Sequence, residues 1–383
     1  MQKRTGSYIT QTVSGESYKA YVPQKLPPDP ALDLERLYPY LEKASLALAQ
    51  LNSVTQTIPN TSLFIYMYVR KEALLSSQIE GTQSSFSDLM LFENNQKPEI
   101  ALDDVEEVSK YVQAIQYGLD RIKNGFPLCM RLLREIHGVL LSGSRGATKL
   151  PGELRTSQNW IGGTRPGNAF FVPPPPEQMA ACLSDFEKFL NDEKVPTLLK
   201  AGLAHVQFET IHPFLDGNGR LGRLLIMLLL SEGGLLEEPV LYLSLYLKQH
   251  RSLYYDLLQQ VRTQGAWEEW LSFFLEGIVV ASKQAMKTAE RINKLFEMDL
   301  LKIATLGRGA PSCQTIFEFI KRLPQVSVSL LSKQLKISAP TARNALNNMV
   351  TLGVLVEVSG KLRDKIYVYR AYLDILEEGA APL

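Results

Sequence analysis

The stretch HPFLDGNGRLGR, residues 212–223, concentrates a histidine, an acid, three glycines, an asparagine and two arginines directly before the apolar run LLIMLLL. Little of it can build a core. The preceding segment LLKAGLAHVQFETIH is apolar at Leu199, Leu203, Val206 and Ile211, so it reads as a buried helix. Proline disfavours helical geometry in the residue before it, so Pro213 ends that helix and sets His212 at its C-terminus. Gly217, Asn218 and Gly219 permit turns that aim successive N–H groups at one point. A helix then opens near Arg220, and helix N-termini bind anions. Arg220 and Arg223 are three apart and project near that turn, with guanidinium forks suited to phosphate oxygens. Asp216 cannot itself favour phosphate; its sensible role is to hold Mg²⁺, which takes one or two carboxylates plus phosphate oxygens. The set reads as a base, a metal carboxylate and a cradle for a di- or triphosphate.

The embedded GNGRLG also spells GxGxxG. A dinucleotide fingerprint needs a strand before the glycines and an acid about 20 residues on, within a βαβ unit. Glu237 and Glu238 lie at a tolerable distance, but a helix precedes the glycines and no second parallel strand follows. The Walker A pattern GxxxxGK[ST] is absent from the sequence.

The whole segment resembles the Fic-family motif HxFx(D/E)GNGRxxR, with every defining position filled. The resemblance implies a protein adenylyltransferase that moves AMP from ATP to a Ser, Thr or Tyr hydroxyl of a target protein. It implies that His212 deprotonates the hydroxyl, Asp216 coordinates Mg²⁺, and Gly217, Asn218, Gly219 and Arg220 hold the α- and β-phosphates. Arg223 would take the γ-phosphate and Phe214 would anchor the loop. Relatives with lysine for the second glycine phosphorylate, and some with alanine for the first transfer phosphocholine; Gly217 and Gly219 here favour AMP. A flap that aligns the target by main-chain pairing corresponds to Ile161–Val172, with Ile161, Gly162, Gly163, Thr164, Phe170, Phe171 and Val172 as docking residues. RSLYYDLL resembles the segment supplying an adenine-contacting tyrosine, Tyr255, with Tyr254 as second choice.

SSQIEGT, residues 76–82, resembles the family's inhibitory motif (S/T)xxxE(G/N) as Ser76, Glu80 and Gly81. Gly81 suits the residue just past a helix end. Glu80 then sits at the negative pole of a helix, unfavourable without a cation nearby. Pairing with Arg223 would supply that cation and withhold it from ATP. In some relatives the same glutamate supports AMP removal, so a de-AMPylase is an alternative.

The surrounding elements must position these groups. At 383 residues, 45% hydrophobic and net charge +1, the chain has ample core and no global field for nucleic acid or membrane. Cys129, Cys182 and Cys313 lie apart with no CxxC, which argues for a reducing compartment. MQKRTGSYITQ has no apolar signal-like core. Leu224–Leu230 falls short of the roughly 20 residues that a membrane span needs. A cytoplasmic protein with no membrane partner is expected. Residues 1–30 read as an extended arm. Helical periodicity predicts helices over 32–52, 62–79, 84–92, 101–124, 128–141, 176–191, 197–212, 219–232, 243–263, 266–280 and 282–304, with a small hairpin about TRPG between 150 and 176.

Residues 311–370 carry nine Lys and Arg against Glu318, Glu357 and Asp364, a local excess of six. Helices at 314–322, 328–335 and 339–352, then strands VLVEV and KIYVYR, give the winged-helix pattern. In its recognition helix Ser338 is the N-cap and Pro340 stands in the first turn, with Thr341, Arg343, Asn344 and Asn347 as polar residues. Arg363 and Lys365 belong to the wing. DNA and protein both remain open as its partner, and a DNA-binding regulator with a nucleotide-sensing core is the second class of function. The expected fold is mainly α: a Fic helical core with a small β-hairpin flap, plus a C-terminal winged helix. Its divisions are an N-terminal region with the inhibitory helix (1–100), the Fic domain and helical extension (101–305), and the winged helix (306–383). Family members often dimerise, so a homodimer is implied.

Overall fold

The computed structural model describes residues 4–13, 15–57, 61–93, 101–143, 146–360 and 364–382. The N-terminal residues form a hairpin rather than the expected arm. Strands β1 (Ser7–Val13) and β2 (Glu16–Val22) pair antiparallel with Ser7 opposite Val22. SYITQTV and ESYKAYV are rich in β-branched and aromatic residues, and their polar composition disguised them.

The helical body is α1 (Leu34–Thr57), α2 (Thr61–Ile79), α3 (Phe86–Glu93), α4 (Leu102–Lys123), α5 (Met130–Leu140), α6 (Pro176–Leu190), α7 (Thr197–Ile211), α8 (Asn218–Glu232), α9 (Ser244–Gln249), α10 (Arg251–Gln264) and α11 (Trp267–Ala304). One contiguous apolar core runs through it, and α2, α7 and α8 are buried along most of their lengths. They are buried around nearly the whole circumference, polar side chains such as Lys71, Gln78 and Glu209 included, because other elements surround them. Two expectations change. The helix read over 243–263 breaks at His250, where the backbone leaves helical geometry (φ −112°, ψ 33°) and the ring lies 2.9 Å from the Tyr246 carbonyl. Conversely, 266–280 and 282–304 are one 38-residue helix. Gly277 does not interrupt it; a Cβ there would come within 2.7 Å of the Tyr246 ring, so this glycine allows close packing.

The expected flap hairpin is reduced to one antiparallel bridge, Ile161 with Phe171, around a short 3₁₀ turn at Pro166–Asn168. Gly162, Gly163 and the prolines after Val172 leave too little regular backbone for a ladder. The flap is backed instead by the N-terminal hairpin, since Tyr21 N–H donates to the Val172 carbonyl at 2.9 Å.

The last unit follows as α12 (Ala310–Arg322), β3 (Gln325–Ser327), α13 (Val328–Leu335), α14 (Ala339–Thr351), β4 (Val356–Glu357), β5 (Ile366–Val368) and α15 (Arg370–Glu377). Its sheet has the order β3-β5-β4, all antiparallel. The short β3 and the terminal α15 escaped the sequence reading. Ser338 caps α14 as expected, its hydroxyl accepting the Thr341 N–H at 3.2 Å. Arg363 lies outside the described residues. Among the described residues no helix is long and apolar enough to cross a membrane.

Candidate functional site

His212 caps α7 in the left-handed region (φ 49°, ψ 60°), a conformation more accessible to Asn, Asp and His than to most residues. Pro213 prevents another helical turn, so the chain swings out and the half-buried imidazole stands at the rim of the next loop. Nδ1 has no hydrogen-bond partner. Burial, then the positive charges of Arg262 and Arg155, bring the imidazole pKa down to about 4. His212 is therefore neutral near pH 7, the form a general base requires.

The loop from Pro213 to Gly217 is rigidly held. Phe214 is fully buried and stacks on His137 with centroids 3.8 Å apart. Asn218 clasps the Phe214 main chain, accepting its N–H and donating to its carbonyl, both at 2.9 Å. The Asn218 side chain is thus spent on loop closure, and what it offers an anion is its main-chain N–H. Arg155, buried beneath, donates Nε to the His212 carbonyl at 2.9 Å and Nη2 to the carbonyls of Ile211 and Pro174. One guanidinium ties the base of the flap to the loop that carries His212.

Gly217 takes φ 75° and caps α8. The first intrahelical bond is Leu221 N–H to the Gly217 carbonyl. The N–H groups of Asn218, Gly219 and Arg220 have no acceptor within the helix and point out of its N-terminus, an anion cradle by geometry. A Cβ at Gly219 would lie 2.2 Å from Glu80 Oε1. The Glu80 carboxylate therefore rests against the mouth of this cradle.

Arg223 Nη2 meets Glu80 Oε1 at 2.7 Å, Nε donates to Ser76 Oγ at 2.8 Å and Nη2 to the Ser76 carbonyl at 2.9 Å. The guanidinium is 2% exposed and the Glu80 side chain 36%. Burial opposes the Arg223 charge, but the Glu80 carboxylate more than offsets it and holds its pKa well above the usual value. Gly81 leaves α2 with φ 107°. Ser76 and Glu80 are thus brought onto Arg223, with Gly81 turning the chain just past them.

Arg220 is buried, with Nη1 2.8 Å from Glu107 Oε1 and Nη2 3.6 Å from Asp216 Oδ1. The half-exposed Asp216 carboxylate also accepts the Gly217 N–H at 2.6 Å. A cleft of about 220 Å³ opens beside these groups, lined by Glu80, Glu107, Lys110, Leu141, Asp216 and Arg220 among others. Among the described residues no cluster of three or more His, Cys, Asp or Glu could hold a metal ion alone. One half-exposed carboxylate at an anion cradle nevertheless fits a hard cation that arrives with phosphate oxygens.

Tyr255 is partly buried, with Arg251 5.2 Å over its ring, and burial with the nearby Glu80 charge pushes its hydroxyl up to about 12. Tyr254 is core: fully buried, its hydroxyl is 2.9 Å from His205 Nε2. In the flap, Phe170 is 62% exposed beside Gly162 and Gly163, both at positive φ, while Phe171 and Val172 are buried and Phe171 lies under Arg262. Thr164 N–H bonds the Asn168 side chain.

Several participants were not singled out from sequence. His137 Nδ1 accepts the Gly152 N–H at 2.8 Å, so Nε2 carries the proton and donates to the Asp216 carbonyl at 3.0 Å. Burial brings its pKa to about 4. Tyr111 donates to the Arg220 carbonyl at 2.9 Å, and Ser76 Oγ donates to the Tyr111 oxygen at 3.2 Å. Glu107 and Tyr111 stand four apart on α4, but neither they nor Arg155 and Arg262 carried a local signal that tied them to the motif.

Residues 38–120 match the Fic/DOC family N-terminal region and residues 127–230 the Fic/DOC family. The protein adenylyltransferase Fic of Drosophila erecta is 40% identical over 111 residues, 28% of this chain and 20% of that protein. That of Culex quinquefasciatus is 33% identical over 175 residues, 45% of this chain and 31% of that protein. The chain thus spans from about a fifth to under a third of such curated relatives. A Fic family protein from Desulfovibrio desulfuricans G20 superimposes with a TM-score of 0.55 at 18% identity, over 87% of this chain and 95% of that one. A Fic domain containing signaling protein from Bacteroides thetaiotaomicron gives 0.51 at 20% identity, over 65% and 97%. At these identities the structures share the fold.

Proposed function

The chain carries Fic/DOC-family N-terminal and Fic domains, and on that premise we propose that it transfers AMP from ATP to a Ser, Thr or Tyr hydroxyl of a protein, its own or another's. The observation that carries this reading is the α8 N-terminus. Its first-turn N–H groups, Arg220 and Arg223 converge within two turns of the neutral His212. In the reaction the hydroxyl oxygen attacks the α-phosphorus and His212 accepts its proton. The bond from that phosphorus to the β-bridging oxygen breaks, and pyrophosphate leaves. The N–H groups and Arg220 meet charge on the α- and β-phosphates, and Arg223 the γ-phosphate. Mg²⁺, held by Asp216 with phosphate oxygens, supplies charge neutralisation when bound. The flap bridge, with exposed Phe170 and Thr164, receives the target segment, and Tyr255 borders the adenine. The divisions 1–100, 101–305 and 306–383 follow as inhibitory, catalytic and winged-helix units of a cytoplasmic protein that dimerises.

With Glu80 on Arg223 the γ-phosphate lacks its partner, so this conformation is the restrained one. The test is transfer of label from α-labelled ATP by the Glu80→Gly protein with Mg²⁺ and a cell lysate. Label on protein that disappears in Glu80→Gly/His212→Ala supports the reading. A folded, ATP-binding Glu80→Gly protein that labels nothing overturns it. The partly exposed Glu80, close above Gly219, also favours a second reading, AMP removal, tested by release of AMP from a modified protein by the unsubstituted chain. The exposed face of Arg343, Asn344 and Asn347 on α14 favours nucleic-acid contact. A duplex mobility shift that weakens steeply with salt and is lost in Arg343→Ala tests it.

A further inference from the structure

Arg220 is gripped at both ends by one face of α4: Glu107 pairs with its guanidinium and Tyr111 bonds its carbonyl. Among the described residues the other carboxylate within 4 Å of it is Asp216 at 3.6 Å. A guanidinium this buried demands an anion, because an uncompensated buried charge is strongly unfavourable. Without Glu107, Arg220 would turn fully to Asp216 and neutralise it. We propose that Glu107 is a positioning residue that keeps Arg220 off Asp216 and so leaves that carboxylate available to a divalent cation accompanying the nucleotide. The inference rests on the proposed function, and its test separates the two. In the Glu80→Gly background, Glu107→Gln and Glu107→Asp are compared by calorimetric ATP affinity in Mg²⁺ and in EDTA, and by the Mg²⁺ dependence of transfer. For Glu107→Gln the affinity in EDTA stays within about twofold, the gain conferred by Mg²⁺ shrinks about tenfold, and excess Mg²⁺ restores the rate. Glu107→Asp keeps the charge and falls between. An unchanged Mg²⁺ gain, or a rate depressed equally at every Mg²⁺ concentration, overturns the inference. No transfer by the Glu80→Gly parent defeats the proposed function instead, while the calorimetry still decides this one.

A second inference comes from the far end of α2. Gln78, two residues before Glu80, is fully buried, and each end of its amide is engaged. Nε2 donates to the Ser84 and Ala380 carbonyls, both at 2.8 Å, and Oε1 accepts from Lys248 of α9 at 2.6 Å. Lys248 also donates to the Ala381 carbonyl. Buried Lys71 donates to the Glu378 carbonyl at 3.1 Å, and Ser87 Oγ to Glu377 at 2.7 Å. The segment leaving α15 is therefore threaded into the helix that carries the brake. Upstream, α15 is joined to α11 by the Tyr369 hydroxyl on Asp299 and by the rings of Phe296 and Tyr372. The geometry points to residues 377–381 as a latch: while docked, they fix the last turn of α2 and keep Glu80 on Arg223, so a ligand that shifts the last unit would release transfer. This too rests on the proposed function. Lys248→Met, and separately a chain shortened to end at Leu376, are assayed with Glu80 intact and with Glu80→Gly. Transfer rises about tenfold with Glu80 intact, the effect of losing one buried charged hydrogen bond, and is unchanged with Glu80→Gly. Amide exchange at 76–82 accelerates in both. If the shortened chain does not fold, Lys248→Met decides. Equal effects in both backgrounds, or none with Glu80 intact, overturn the latch; silence of Glu80→Gly itself defeats the proposed function, and exchange still reports the latch.

Discussion

Replacing Glu80 by glycine removes one charge-assisted contact and leaves the rest of the Arg223 site in place. The pair is short, 2.7 Å, and Arg223 keeps its two bonds to Ser76 when Glu80 is gone. A hydrogen bond between charged groups contributes about 1.5–3 kcal/mol. The Glu80 side chain is 36% exposed, and solvent screening favours the lower part of that range. About 2 kcal/mol corresponds to a roughly 30-fold preference for the engaged state, at about 1.4 kcal/mol per tenfold. The unsubstituted chain would then present a free Arg223 about 3% of the time, and Glu80→Gly should raise initial transfer rates about 30-fold. Glu80→Gln, which retains a neutral acceptor, should fall between. The assay is incorporation of α-labelled AMP into the chain or an added target at saturating Mg²⁺. A change below about twofold in Glu80→Gly, with ATP affinity also unchanged, would refute the reasoning, since the pair would then carry no free energy that ATP must displace.

Four further outcomes are expected. His212→Ala in the Glu80→Gly background abolishes transfer while calorimetric ATP affinity stays within about twofold, because the imidazole acts on the hydroxyl rather than on the phosphates. With a free-site His212 pKa of about 4, kcat/KM is flat from pH 8 down to about 5 and falls only as the base becomes protonated near 4; an acid limb centred near 6.5 contradicts this. His137→Ala unpairs the Asp216 carbonyl and the Gly152 N–H and removes the stack on Phe214, which should cost about 1–3 kcal/mol in denaturant unfolding. Finally, His137, His205 and His212 are depressed to about 4, 3 and 4, while Glu72 and Glu209 are raised to about 7. Near pH 5.5 the three histidines take up protons on unfolding and the two glutamates release them. Three against two leaves about one net proton bound on unfolding, so stability falls by about 1.4 kcal/mol per unit as pH drops from 6.5 to 4.5. A flat or inverse slope counts against these burial-driven shifts.

The sequence by itself determined the segments whose physics is local. Proline after His212, glycine at 217 and the apolar run that follows set a helix end, a left-handed cap and a new helix within a few residues. The three groups that need only this geometry could therefore be named: the imidazole proposed as base, the carboxylate and the N–H cradle. The Glu80–Arg223 meeting was also foreseen, because a carboxylate at a helix C-terminus needs a cation and a known motif supplied the candidate. Tertiary packing decided what partners those residues keep. Asn218, read as a phosphate ligand, has its side chain drawn into the loop. Glu107 and Tyr111 of α4, His137 of α5 and Arg155 of the following loop come from three separate places in the chain to hold main-chain or charged groups of the motif. Nothing in their spacing marks them, since a buried polar group is satisfied by whatever the fold brings within about 3 Å of it. The helix break at His250, the unbroken α11 and the docking of residues 377–381 on Lys71, Gln78, Ser87 and Lys248 have the same origin. Helical periodicity tells which face of a segment is buried, but which other segment buries it is decided only when the core closes.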